Sequence, residues 1–130
     1  MIAVDTNVVV RFLTNDDHAQ AARARALLRD NPIFLAKTVL LESEWVLRSG
    51  YGFAPEAIAA AFRGLLGLPG VAVEDPPAIR QAMDWYGRGF DFADALHLAS
   101  SAGATGFATF DKALARRLRA LDDLPAAVEP

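Results

Sequence analysis

Apolar residues along this chain switch repeatedly between short extended runs and longer stretches of helical period. Ile2-Ala3-Val4 is a β-prone run that ends at Asp5-Thr6-Asn7, after which Val8, Val9, Phe12 and Leu13 recur at helical spacing. Asp17 with Gln20 three residues on predicts a capped helix to about Asp30, with Ala22, Ala26 and Leu27 inward and Arg23, Arg25 and Arg29 in water. Ile33-Phe34-Leu35-Ala36 reads as a buried strand, and Thr38 as the cap of a helix running to Ser49-Gly50. Pro55 and Glu56 open a helix to about Leu66, Val71-Ala72-Val73 is a third strand, and Asp75-Pro76-Pro77 opens a helix to about Tyr86. Asp91 or its neighbours start a helix to Ala102 that Gly103 would terminate. Gly106-Phe107-Ala108-Thr109 is a fourth strand, Asp111 caps a helix to about Leu121, and Ala126-Ala127-Val128 could add an edge strand.

Strands alternating with helices predict an α/β fold in which a short, mostly parallel sheet is covered on both faces. No repeat or long linker divides the sequence, so residues 1–130 are expected to form one domain. With no cysteine among 130 residues, disulfides and thiolate metal sites are excluded. No leader-like or membrane-length apolar stretch is present, which makes a cytoplasmic protein with no membrane partner the expectation. A net charge of −3 is not the broad basic footprint of a protein that holds nucleic acid by charge alone.

In open parallel sheets, ligands bind at the carboxyl ends of the strands. The polar residues that fall there are mostly acids: Asp5 after the first strand, Asp111 after the fourth, and Asp91 and Asp94 at the start of the helix between. Each is also a good helix cap or first-turn acid, so capping alone accounts for any one of them. Glu42 is different, because it lies inside a helix among Leu40, Leu41, Trp45 and Val46, whereas Glu44 has Arg48 four residues on. A carboxylate on an apolar helix face needs a positive partner, which Lys37, an arginine or a metal could supply.

If Asp5, Glu42, Asp94 and Asp111 converge, two of them about 5 Å apart repel by roughly 3 kcal/mol at an effective dielectric near 20. A divalent cation relieves that repulsion, and all-oxygen ligation suits Mg²⁺ or Mn²⁺, one ion or two. Such an ion meets the needs of phosphodiester hydrolysis by activating water and offsetting charge on the leaving oxygen.

Val4-Asp5-Thr6-Asn7, Val39-Leu40-Leu41-Glu42, Phe92-Ala93-Asp94-Ala95-Leu96-His97 and Thr109-Phe110-Asp111, in this order, resemble the PIN-domain ribonucleases, and among them the VapC toxins of bacterial toxin–antitoxin pairs. The resemblance covers essentially the whole chain. It implies a three-layer α/β/α sandwich and a pocket in which Asp5, Glu42, Asp94 and Asp111 hold Mg²⁺ or Mn²⁺, with Thr6, Asn7 and Thr109 orienting carboxylates or contacting phosphate. It also implies an RNA substrate such as tRNA, rRNA or mRNA, a homodimer, and a VapB-like antitoxin whose C-terminal segment covers the pocket.

Around these motifs, Arg11 is close enough in sequence to meet a phosphate, and the Arg116-Arg117-Arg119 cluster is either a solvated helix face or a second phosphate contact. His97 reads as a packing residue ahead of a proton carrier. Trp45, Trp85 and Tyr86 read as core or dimer contacts ahead of RNA contacts. Two other readings start from the same acids. One is a catalytically silent PIN-like module. The other is an aspartate-phosphorylated receiver or phosphohydrolase, disfavoured because Asn7 stands where the latter carries a second Asp.

Overall fold

The computed structural model describes residues 1–121 and 125–130. Among these described residues five strands, β1 (Ile2–Ala3), β2 (Ile33–Leu35), β3 (Val71–Val73), β4 (Gly106–Ala108) and β5 (Ala126–Val128), alternate with seven helices. The helices are α1 (Thr6–Thr14), α2 (His18–Asp30), α3 (Lys37–Trp45), α4 (Pro55–Leu66), α5 (Pro76–Gly87), α6 (Phe92–Ala99) and α7 (Lys112–Arg119), with a π-helical turn, Val46–Gly50, continuing α3. Every strand pair is parallel, so each connection crosses over through a helix, as the α/β rhythm requires.

The strands form two sheets, β1-β2-β3 and β4-β5, where the pattern predicts one. Strand β1 is two residues long with both side chains exposed, so it offers little surface for a further partner. Strand β4 pairs with β5, and the close approach requires glycine at 106: a Cβ there would stand 2.6 Å from Cγ2 of Val128.

Helix starts follow the predicted caps at Asp5, Asp17, Asp75, Asp91 and Asp111, each accepting a backbone N–H from three residues on. Helix α3 is the exception. It begins at Lys37, not behind Thr38, because the Lys37 amide already donates to Glu74 Oε1 at 3.0 Å. Helix α6 stops at Ala99, ahead of the predicted Ala102, and α2 turns Ala21 and Ala24 inward where Ala22 was expected.

The core gathers Ile33, Leu35, Leu40, Phe62, Phe92 and Leu98 between the β1-β2-β3 sheet and its helices. Phe92, two residues ahead of Asp94, meets the rings of Phe62 and Tyr86 edge-on at 5.8 and 5.1 Å. That packing fixes the first turn of α6 and hence the direction in which its acids leave the core.

Candidate functional site

Most of the residues predicted for the site fall into two groups. The first joins α1 to α3: the buried Thr6 hydroxyl donates to Oε1 of Glu42, across 36 residues of sequence. Asp5, one residue earlier, spends Oδ1 on the Val8 N–H at 3.1 Å and stays exposed. Glu42 is exposed rather than set on an apolar face, which corrects the sequence expectation. The buried glutamate is Glu44, 2 % exposed, whose carboxylate accepts from Arg48 Nε at 2.8 Å and the Tyr86 hydroxyl at 3.0 Å. Lys37 does not serve Glu42 either, since its ammonium pairs with Asp75 at 2.9 Å.

The second group lies at the N-termini of α6 and α7. Asp91 Oδ2 accepts the Asp94 N–H at 3.1 Å, and Asp111 Oδ1 accepts the Leu114 N–H at 3.0 Å. Burial pushes the Asp94 carboxyl above its ordinary range, and the charges of Asp91 and then Asp111 push it further, with His97 opposing. The three acids therefore share one neighbourhood. His97 is exposed, so it is not the packing residue predicted for that position.

None of Asp5, Glu42, Asp91, Asp94 or Asp111 joins an ion pair among the described residues. Arg48 senses Asp91, but its hydrogen bonds go to Glu44. The donor set is all oxygen, unpaired and mutually repulsive at Asp94, which suits a hard divalent cation. Among the described residues, however, no three acids or histidines stand close enough to form a finished metal site.

The remaining predicted residues divide. Thr109 belongs to the second group, its Oγ1 accepting the Asp111 N–H at 3.0 Å. Asn7 and Arg11 line a separate groove of about 400 Å³ between α1 and α2, together with Gln20 and Arg23. Arg11 is held there by Gln20 Oε1 at 2.7 Å, Asp16 at 3.1 Å and the Tyr51 hydroxyl at 3.0 Å. It serves structure, not the acids. Trp85 and Tyr86 are core residues, as expected, whereas Trp45 is 60 % exposed and belongs to no core. In sequence, Asp91 and Asp94 stand three apart on one helical turn, so both could face a pocket, with Asp91 preferred as the cap; Asp91 does cap α6, and its charge also acts on Asp94.

The PIN domain family matches residues 2–119. Among solved structures, the chain is similar to VapC20 of Mycobacterium tuberculosis, described as a sarcin-ricin loop cleaving toxin. The two share 25% identity over 90% of this chain and 95% of that one, with a TM-score of 0.46. No curated protein matches the chain.

Proposed function

The chain belongs to the PIN-domain family, and from that premise we propose that it is a Mg²⁺- or Mn²⁺-dependent endoribonuclease, the toxin of a VapC-type toxin–antitoxin pair. The observation that carries this reading is the set of like-charged carboxylates at Asp94, Asp91 and Asp111, without an ion pair among the described residues, with Asp94 held above its ordinary range by burial and then by its neighbours. Such an arrangement is costly in a protein without a cation and is relieved by one.

Asp5, Glu42, Asp94 and Asp111 are the residues that would hold the ion or ions. Bound there, the cation supplies a water activated for attack and offsets charge on the leaving oxygen. The protein's own part is orientation. The Thr6 hydroxyl fixes one oxygen of Glu42, Asp91 anchors the amide of Asp94, and Thr109 fixes the backbone entering Asp111. Asn7, two residues after Asp5, is exposed at the groove between α1 and α2, where it is available to a phosphate oxygen.

The substrate class is RNA, and the proposal includes a VapB-like antitoxin, a homodimer and a cytoplasmic setting. Among the described residues no helix is long and apolar enough to cross a membrane. Exposed Trp45 is available surface for a second copy.

Asp5→Asn and Asp94→Asn test the reading. Both keep a side-chain oxygen, so the Asp5 cap survives while the charge goes. Each should lower Mn²⁺-dependent RNA cleavage by at least about 100-fold, with unchanged circular dichroism. Cleavage at the parental rate in saturating Mn²⁺ would remove these residues from the site. The lack of a finished three-acid cluster favours one alternative, a silent PIN-like binding module. Calorimetry separates the two, because a silent module should take up no Mn²⁺.

A further inference from the structure

Phe110 is 86 % exposed, more than any other large hydrophobic among the described residues, although it stands between Thr109 and Asp111. Its backbone is held on both sides. The Thr109 N–H donates to the Val128 carbonyl at 3.3 Å, the Asp111 N–H to Thr109 Oγ1 at 3.0 Å, and Asp111 itself caps α7. A turn so tethered presents its ring to solvent. Isolated exposed hydrophobics are common, so exposure alone decides nothing. Its surroundings decide more.

The arginine cluster of α7 is split in two. Arg117 is committed to structure, donating to the carbonyls of Gly89 at 2.9 Å and Arg88 at 3.3 Å and lying 4.4 Å over the Phe90 ring. Lys112, Arg116 and Arg119 follow at i, i+4 and i+7, so they share one face of α7, and none joins an ion pair among the described residues. They line a groove of about 440 Å³ with Thr109 and Phe110, where Glu129 is the one acidic side chain among the described residues. Like charges at i, i+4 disfavour a helix unless an anion lies across them.

We propose that Phe110 is a stacking platform for an unpaired base of the RNA flanking the cleaved phosphodiester, and that Lys112, Arg116 and Arg119 carry the adjoining phosphates. This rests on the nuclease reading above and deepens it by naming the substrate as unpaired nucleotides. An aromatic face beside a basic track is how single strands are held without base-edge readout. A base inside a duplex has no free face for the ring, so loops and single-stranded segments are selected. Asp111, the next residue and the cap of α7, holds its carboxylate on the same turn, so a base on Phe110 is placed beside that carboxylate.

The test uses the full chain carrying Asp94→Asn as an uncleaving background, and single-stranded RNA of about ten nucleotides in which 2-aminopurine is moved one position at a time. Quenching should appear at one position in the bound RNA. Phe110→Ala should abolish it and weaken binding by about 5- to 100-fold, while Phe110→Trp retains both and Phe110→Leu does not. Changing Lys112, Arg116 and Arg119 to Gln should reduce the slope of log affinity against log salt by about 2. In the active protein, Phe110→Ala should slow cleavage in a loop through KM.

If Phe110→Ala binds and quenches like its parent while Mn²⁺-dependent cleavage persists, stacking is wrong and the nuclease reading stands, leaving this face to a protein partner. If the unmodified protein neither binds nor cuts RNA in Mn²⁺, both readings fall together.

Discussion

Asp16 accepts from the Tyr51 hydroxyl at 2.7 Å, the Thr14 hydroxyl at 2.9 Å and Arg11 Nη1 at 3.1 Å. The hydrogen bonds from Tyr51 and Thr14, then the charge of Arg11, hold its carboxyl below the ordinary value of 3.8. A depressed folded pKa contributes stability that is fully present above the unfolded value and is lost as pH falls through the folded one. The parent should therefore melt higher than Asp16→Asn at about pH 6, with the gap closing below about pH 4. A gap that stays constant through the acid range would show that the carboxylate's charge is not what ties α1 to Tyr51. Side-chain partners of this kind are hardly legible in sequence. Glu42 and Glu44 illustrate it: the i+4 arginine identified Glu44 as paired, but its burial depends on Tyr86, 42 residues away. The exposure of Glu42 likewise depends on how α3 lies against α1. Asp5, Asp91 and Asp111 were readable because capping is decided within four residues.

Between elements, Arg117 binds α7 to the turn joining α5 and α6. Gly89 has φ +95°, a left-handed conformation that suits glycine, and a Cβ there would come 3.3 Å from Arg117 Nη2. The guanidinium thus occupies space that the missing side chain leaves open, and it grips the turn two residues before Asp91. Since Asp111 caps α7, this one side chain relates the two ends of the Asp91–Asp94–Asp111 group. Arg117→Ala should cost about 1–3 kcal/mol, from lost charged hydrogen bonds and the ring contact, and Arg117→Lys should recover only part because it cannot fork across two carbonyls. Urea unfolding measures this, and a change within about 0.5 kcal/mol would mean the contact is a surface decoration. Cleavage should fall in parallel. Helix and strand order could be read from the pattern because propensity, caps and period are local. The division into two sheets could not, since it turns on which strand edges meet, and the approach of Gly106 to Val128 joins residues more than 20 apart in the chain.

Over the whole molecule, the acidic balance is a local property. Setting aside Asp5, Glu42, Asp94 and Asp111 turns the net charge of −3 into +1, so the total does not argue against a polyanion. The uncompensated carboxylates should then be read as a destabilising feature of the metal-free protein. A ligand that binds only the folded chain stabilises it by RT ln(1 + [L]/Kd), about 2.7 kcal/mol at 100 times Kd. For a chain of 130 residues that corresponds to a rise in Tm of roughly 8–10 °C. Mn²⁺ should raise Tm by that order, Ca²⁺ by less because it favours more ligands at longer distance, and EDTA should reverse the rise. Asp94→Asn should change both ends of the comparison: the metal-free Tm goes up, since a repelled and partly buried charge is gone, and the Mn²⁺ increment is lost. A structural carboxylate would give the opposite sign in the metal-free protein, with Asp94→Asn melting lower and the Mn²⁺ response unchanged. The two signs can be read in a single thermal titration, and they separate a metal site from a set of helix caps without any substrate.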